Sequence, residues 1–311
     1  MLELSSNNAI NQILIAAKAS MKGNSKMLPN IPFATMNPQQ ESTKNPWIKR
    51  NISYINGVPY VAYGFWFGDK MLGARAKVYN QLIANIGPPF YLITIANISD
   101  FESPVHPFNS AVKYTLKYKK GLSGNHLADY FRQYISYHYG GAYHDIKLRL
   151  KTQSISKCWD IFEDPNIWVV GMPNLLGGVG DLEIYDHILR HEGNNTDVIL
   201  TKDGKWDDSN MIDSKLICNG GWIARPRNTL FEKVNYFVEM RLAKLFPMIQ
   251  IHPVHNFSRC CLNNEVPEYP VGWTEVQGNV FHPYQLVYFS HINRSMPRYE
   301  STLYRHITED V

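Results

Sequence analysis

Apolar and polar residues alternate along the chain in runs that predict the elements of an α/β domain. Val58–Phe67 and Phe90–Ile98 are rich in β-branched and aromatic residues, so each predicts a buried strand. Between them, Ala74–Ile86 has the spacing of a helix and is followed by a Gly-Pro-Pro stop. A helix between two buried strands indicates a βαβ unit, and we therefore expect a parallel sheet covered by helices on both faces.

Later segments continue this pattern. Val112–Lys120 and Thr229–Phe246 have helical spacing, whereas Ile167–Met172 and Leu216–Ala224 are strand-like. The last of these contains two glycines, which predict a break in the strand. The C-terminal third predicts short strands and loops.

The residues between 126 and 138 predict a helix with one polar face. His126–His138 has an apolar face at helical spacing, and Asp129 and Arg132 fall together on the opposite face. Ser123 or Asn125 can cap the start of this helix, and the two glycines at 140 and 141 end it. Asp129 and Arg132 are therefore neighbours that can form an ion pair.

A strand is predicted directly after the two glycines. Tyr143, Asp145 and Lys147 alternate with apolar residues and so share one face of it. One interpretation is an exposed ion pair on the helix, followed by an edge strand with a solvated charged face. The other is a polar pocket, because the tight turn brings both polar faces together next to aromatic residues.

Composition narrows the class of protein. The 311 residues are 44% hydrophobic and 19% charged, which is typical of a globular protein. A net charge of +4 gives no reason to expect nucleic acid as the main partner. Aromatic residues make up 13% of the chain, which suits the stacking of sugars or bases. We expect a polar N-terminal arm over residues 1–45 and one domain over residues 46–311.

The cellular compartment is predicted from cysteines and apolar runs. The four cysteines show neither a zinc-binding pattern nor a disulfide framework, which favours a reducing compartment. No apolar run approaches the ~20 residues needed to span a bilayer. We therefore expect a cytoplasmic protein with no transmembrane segment and no nucleic-acid partner.

The central segment LADYFRQYISYHYGGAYHDIKL resembles the signature of sugar transferases with a DXD motif. These include glycosyltransferase family 32, the glucosylating toxins and the capsular polysaccharide synthesis proteins. The matching positions are Asp129, Arg132, Gly140, Gly141, Tyr143 and Asp145. The clear resemblance covers Val58–Leu150, and a weaker match covers Ile217–Pro226.

The resemblance implies a GT-A fold, in which a Rossmann-like nucleotide-binding half joins an acceptor-binding half. It also implies a nucleotide-diphosphate sugar as donor and a glycan or glycoprotein as acceptor. Asp129 and Arg132 would hold the hydroxyls of the donor sugar, and Tyr143 would line the nucleotide. Asp145 would lie at the diphosphate and at a Mn²⁺ or Mg²⁺ ion. The implied catalytic residues are Asp145, Asp129 and Arg132.

The base of the donor is expected at the carboxyl ends of the first two strands, where ligands bind in such sheets. Trp66 lies in the aromatic end of the first predicted strand and Asn97 lies near the end of the second, so both are candidate donor-binding residues.

The sequence departs from the DXD pattern at one position. Lys147 replaces the second acid, as in the capsular proteins, which tend to lack it. A lysine on the face of Asp145 can reach a phosphate, so Lys147 is also a candidate donor-binding residue, and we expect weak metal dependence. His291 resembles a histidine of the capsular terminal motif and is the second candidate metal ligand. Asp181 and Glu183 form another possible acidic pair.

These patterns leave three functions open. The first is a glycosyltransferase. The second is a degenerate, non-catalytic glycan- or nucleotide-binding protein, which Lys147 favours. The third is a sugar-phosphate transferase of capsule assembly. Donor hydrolysis separates the first from the second, and phosphate in the product separates the first from the third.

Overall fold

The computed structural model describes residues 45–68, 70–101, 121–146, 154–174, 216–254, 268–272 and 274–297. Residues 1–44 of the predicted arm and the predicted helix Val112–Lys120 lie outside these ranges. So do Lys147, Asp181 and Glu183.

The described residues build a mixed sheet. A small hairpin of β1 (Tyr54–Ile55) and β2 (Val58–Pro59) precedes it. The strands of the sheet are β3 (Ala62–Trp66), β4 (Phe90–Thr94), β5 (Gly141–His144), β6 (Val169–Pro173), β7 (Ile217–Ala224) and β8 (Ile292–Asn293). Within the described ranges their order is β4-β3-β5-β7-β6-β8. Strand β7 runs antiparallel to both of its neighbours, and the other pairings are parallel.

Helices flank this sheet. The α-helices are α1 (Pro46–Lys49), α2 (Gly73–Asn85), α3 (Gly124–His138), α4 (Thr229–Ile251) and α5 (Gly278–Val287). Short 3₁₀ helices cover Ile98–Phe101, Ser156–Glu163 and Phe289–His291. Among these described helices, none combines the length and the hydropathy of a membrane span.

Alternate residues of the strands enter two different cores. On one face, Tyr63, Tyr143 and Trp222 pack with α3, α4 and α5. On the other face, Ala62 and Ala142 pack with α2 and the 3₁₀ helix after residue 155. The sheet is therefore covered on both faces, and the predicted α/β class with a parallel β3-α2-β4 unit is confirmed.

Two predicted strands are shorter in the structure. The first divides at Tyr60 and Val61, because Val58–Pro59 pairs with β1 in a hairpin. The turn of this hairpin is formed by Asn56 and Gly57, with φ of 51° and 78°. The chain enters β3 only at Ala62. The second ends at Thr94 because the Asn97 side chain accepts a hydrogen bond from the Thr94 N–H at 2.8 Å.

The prediction of short strands and loops for the C-terminal third is wrong for α5. Pro283 lies inside this helix, and a proline at such a position normally argues against a helix. Val280, Phe281 and Tyr284 are fully buried in the core, so tertiary packing outweighs the missing hydrogen bond. Helix α4 likewise continues past its predicted end at Phe246, with Pro247 inside it.

The polar side of α3 is buried. Ser136 lies against the sheet, where its Oγ is 3.1 Å from the Tyr63 hydroxyl and accepts a hydrogen bond from the Trp222 indole at 2.8 Å. From the other side, the Asn235 amide of α4 donates to the Gln133 carbonyl at 3.1 Å. Strand β5 is central, with β3 and β7 as neighbours. The interpretation as an exposed ion pair beside an edge strand is therefore wrong.

A tight reversal joins α3 to β5. Gly140 and Gly141 both have positive φ, 69° and 95°, a region that other residues rarely adopt. A Cβ atom on Gly140 would lie 2.7 Å from Pro226 Cδ and 2.8 Å from the Ala224 carbonyl oxygen. Gly140 is therefore required both for its backbone angle and for the close approach of β7.

We predict that Gly140→Ala destabilises the fold by about 3 kcal/mol, from the backbone angle and the clash together. Gly73→Ala is the matched control, because Gly73 also has positive φ (55°) but no atom within 4 Å of the added Cβ. This control should lose only about 1 to 2 kcal/mol. Urea unfolding of both variants measures the difference, and equal losses would show that the close approach contributes nothing.

A buried carboxyl group lies between α3 and α4. The Tyr130 hydroxyl donates a hydrogen bond to Glu239 Oε1, and Glu239 is 5% exposed. Burial raises the pKa of Glu239 to about 7, although the hydrogen bond from Tyr130 lowers it. The pKa of Glu239 in the folded protein is above its ordinary value of 4.5. Its contribution to the stability of the fold is therefore fully present below pH 4.5. The stabilisation is lost as the pH rises through the folded-state pKa.

We predict that Glu239→Gln removes this pH dependence. The amide keeps an acceptor for Tyr130 and never ionises, so at about pH 8 the variant should be more stable than wild type by roughly 3 kcal/mol. At about pH 4 the two should be nearly equal. Chemical unfolding at both pH values measures this, with the exposed Glu163→Gln as control. A variant that is no more stable at the higher pH would contradict the prediction.

Candidate functional site

The candidate site lies at the carboxyl edge of the parallel strands. Strands β3, β4 and β5 run in the same direction, so their carboxyl ends lie at one edge. The amino end of β7 joins this edge because β7 is antiparallel to β5. Asp145 follows β5 directly at this edge. Ligands of such sheets bind outside the carboxyl ends of the strands.

The Arg132 side chain connects α3 to two strands. Its Nη1 donates hydrogen bonds to the Asn219 carbonyl at 2.6 Å and to the Tyr143 hydroxyl at 3.3 Å. Its Nη2 forms an ion pair with Asp129, and its guanidinium lies 5.1 Å from the centre of the Tyr143 ring. The structure thus joins three residues that the sequence predicts for the site.

Asp145 completes this network. The Tyr143 hydroxyl donates a hydrogen bond to Asp145 Oδ1, and the same oxygen lies 3.8 Å from Arg132 Nη1. The side chains of Arg132, Asp129 and Asp145 are 9%, 10% and 15% exposed. A ligand can therefore contact these groups only at their outer edge, and solvent screens the charges weakly.

A bulge in β7 shapes the floor of this site. The pairing of β6 with β7 shifts register between Gly171 and Pro173. In this region the Gly220 carbonyl accepts a hydrogen bond from the Asp145 N–H at 2.8 Å. The predicted glycine break corresponds to this bulge, which presents the Asn219 carbonyl to Arg132.

Arg75 belongs to the same edge and was not predicted from the sequence. It lies in the first turn of α2, with its guanidinium 5.9 Å from the centre of the Trp66 ring. Burial lowers the pKa of Arg75, and the nearby Asp145 carboxylate raises it by a smaller amount. The sequence feature that could have predicted Arg75 is a basic residue at the start of the helix that follows the first parallel strand.

Trp66 and Asn97, the two predicted base contacts, have different surroundings. Trp66 is partly buried at the end of β3 and packs on the core face opposite Tyr143. The Asn97 amide closes a turn: it accepts from the Thr94 N–H at 2.8 Å and donates to the Leu92 carbonyl at 3.1 Å. A contact of either residue with a base stays a prediction.

His291 does not share a site with Asp145. Asp145 follows the carboxyl end of β5, whereas His291 precedes β8 at the opposite, amino edge. The first residues of β5 and β8 lie at the same height in the sheet, because the pairings through β7 and β6 join them in one row. Three strand spacings and the length of β5 therefore separate the two residues, roughly 20 Å. The predicted pairing of Asp145 with His291 around one metal ion is wrong.

The surroundings of His291 explain its position. Its ring stacks on Trp168 at 3.7 Å between centres, and its Nδ1 lies 2.8 Å from the Asn166 carbonyl oxygen. Across the described ranges, no three His, Cys, Asp or Glu side chains lie close enough to hold a metal ion. The other acid and lysine candidates, Asp181, Glu183 and Lys147, lie outside those ranges.

We predict that Arg132→Ala destabilises the fold by about 3 kcal/mol or more, because it leaves Asp129 buried without a countercharge. Arg241→Ala is the matched control. Its ion pair with Glu275 is about a quarter exposed, and its loss should cost at most about 1 kcal/mol. Urea unfolding at neutral pH compares the two, and equal losses would mean that the Arg132 network is solvated.

Comparison with known proteins leaves the site to be interpreted from its own chemistry. No known family model matches the chain, and no curated protein matches it.

Proposed function

We propose that the chain is a glycosyltransferase that transfers a sugar from a nucleotide-diphosphate sugar to a glycan or glycoprotein. One observation supports this most. Asp129, Arg132, Tyr143 and Asp145 form one network at the carboxyl edge of parallel strands. The same four residues carry the resemblance to DXD sugar transferases. A GT-A-like fold is part of this proposal, and the mixed α/β sheet is compatible with it.

The network is suited to a polyol. Sugar hydroxyls both donate and accept hydrogen bonds, and the Asp129–Arg132 pair offers a carboxylate acceptor beside guanidinium donors. Arg132 Nε has no acceptor among the described residues. A buried donor without an acceptor costs about 1 to 3 kcal/mol, so this N–H adds to the cost of holding the network in place before a ligand binds.

The leaving group of the proposed reaction is a diphosphate. Negative charge grows on its bridging oxygen as the sugar departs, and a preorganised cation beside it lowers the barrier. Arg132 and Arg75 both lie near Asp145 at this edge. These fixed cations act without any rearrangement when the bond breaks.

The described residues do not form a cage for Mn²⁺ or Mg²⁺. Asp145 is the one site carboxylate aligned with the DXD motif, and its Oδ1 already accepts a hydrogen bond from Tyr143. This part of the proposal depends on the arginines and on the tyrosine hydroxyl.

A non-catalytic glycan- or nucleotide-binding protein is the second candidate function. Its support is the tight coupling of Asp145 to Tyr143 and Arg132, which resembles a preformed binding site as much as a catalytic one. The two functions differ in turnover. A binding protein retains the donor intact, whereas a transferase slowly hydrolyses it when no acceptor is present.

We predict that Asp145→Asn lowers donor hydrolysis by ~100-fold or more, which corresponds to about 2.7 kcal/mol of the barrier. The asparagine keeps the size and one acceptor for Tyr143, so the thermal unfolding transition should remain. A panel of nucleotide sugars, with release of nucleoside diphosphate as the readout, tests this. Asp100→Asn is the control, because Asp100 forms an ion pair with Arg50 outside the network and its side chain is 49% exposed.

Two results would contradict this assignment. Equal hydrolysis by wild type and Asp145→Asn would remove Asp145 from the reaction. Binding of a nucleotide sugar without any hydrolysis by wild type would favour the non-catalytic function.

A further inference from the structure

Arg75 has surroundings that a structural role does not explain. Its guanidinium lies 5.9 Å from the centre of the Trp66 ring, a distance at which a cation is attracted by the ring face. Within the described residues, no carboxylate forms an ion pair with Arg75 and no carbonyl accepts its hydrogen bonds. Arg225 offers a contrast, since it donates to three carbonyls, those of Asn56, Phe162 and Ile167.

The position of Arg75 on its helix is also unfavourable by itself. The first turn of a helix carries partial positive charge and favours acidic residues. In α2 this turn has no acidic residue, and Leu72 provides no side-chain cap. A cation at such a position is repelled by the helix unless an anion lies next to it.

The topology places Arg75 beside the reactive edge. Helix α2 follows β3, so its first turn lies at the carboxyl end of β3, next to the end of β5. Arg132 also lies near Asp145, at 3.8 Å between Nη1 and Oδ1. Asp145 therefore has two guanidinium groups near it, and no described acceptor uses the N–H groups of Arg75.

We propose that Arg75 is a phosphate-binding residue that Trp66 holds in position, and that it binds the diphosphate of the donor together with Arg132. This inference rests on the proposed function. A planar guanidinium matches phosphate oxygens through two parallel hydrogen bonds. This arrangement gives Trp66 a different role from the base contact predicted from the sequence, because the indole face orients Arg75.

Inorganic pyrophosphate is the probe that tests this, because it carries the diphosphate without a base or a sugar. Isothermal titration calorimetry measures its Kd for wild type, Arg75→Gln and Arg294→Gln. Arg294 is the matched control, since its guanidinium also lies over an aromatic ring, at 4.7 Å from the centre of the Phe289 ring, but it directly follows β8, three strands away from β5. Arg75→Gln should weaken binding by ~10-fold or more, while Arg294→Gln leaves it within about twofold.

A second variant tests the role of Trp66. Trp66→Leu should weaken pyrophosphate binding by ~2- to 5-fold when Arg75 is present and should have no effect in the Arg75→Gln background. Because pyrophosphate has no base, such an effect cannot come from base stacking. Equal effects in both backgrounds would overturn the positioning role. Thermal unfolding of each variant establishes that it is folded.

The outcomes separate this inference from the proposed function. No pyrophosphate binding by wild type, or equal binding by Arg75→Gln, overturns the phosphate site. Donor hydrolysis that is unchanged in Arg75→Gln overturns it as well but leaves the transferase standing. Pyrophosphate binding that depends on Arg75, without hydrolysis of any nucleotide sugar, supports the phosphate site and overturns the transferase.

Discussion

The buried guanidinium of Arg132 is the contact on which the candidate site depends. It joins α3 to β5 through Tyr143 and to β7 through the Asn219 carbonyl, and it neutralises Asp129. Removing charges from water is costly, and the attraction of one ion pair seldom compensates for this. Here the additional hydrogen bonds to a hydroxyl and a carbonyl compensate part of the cost. The network therefore holds its geometry before any ligand arrives, which is what electrostatic catalysis and selective binding both require.

The reversal at Gly140 and Gly141 sets the geometry of this network. Asp129 lies eleven residues before Gly140 on a helix, a distance of ~16 Å at the helical rise. Asp145 lies five residues after Gly140 on a strand, also ~16 Å at the strand rise. Because α3 and β5 run in opposite directions from the same turn, the two acids reach the same height at the carboxyl edge. The bulge in β7 then adds a carbonyl at this height.

Two acidic and two basic side chains lie at this edge of the sheet. Asp129 and Asp145 are balanced by Arg132 and Arg75, so the described charges cancel before a ligand binds. A diphosphate brings negative charge that additional cations would balance, and Lys147 lies two residues after Asp145 in the sequence. In the proposed transferase, the guanidinium groups of Arg132 and Arg75 supply the positive charge that a metal ion supplies where the motif keeps its second acid.

The sequence alone determined the elements that depend on residues close together along the chain. The helical spacing and the capping residue Ser123 placed α3, the glycines placed its end, and the spacing of Asp129 and Asp145 around them predicted their convergence. Only the tertiary structure decided which surfaces are buried, because β7, the partner that makes β5 central, comes more than seventy residues later. The same holds for Pro283 inside α5, for the place of His291 at the opposite edge and for Arg75 over Trp66. Periodicity depends on neighbours along the chain, whereas burial and register depend on contacts between segments that the pattern of either one alone does not specify.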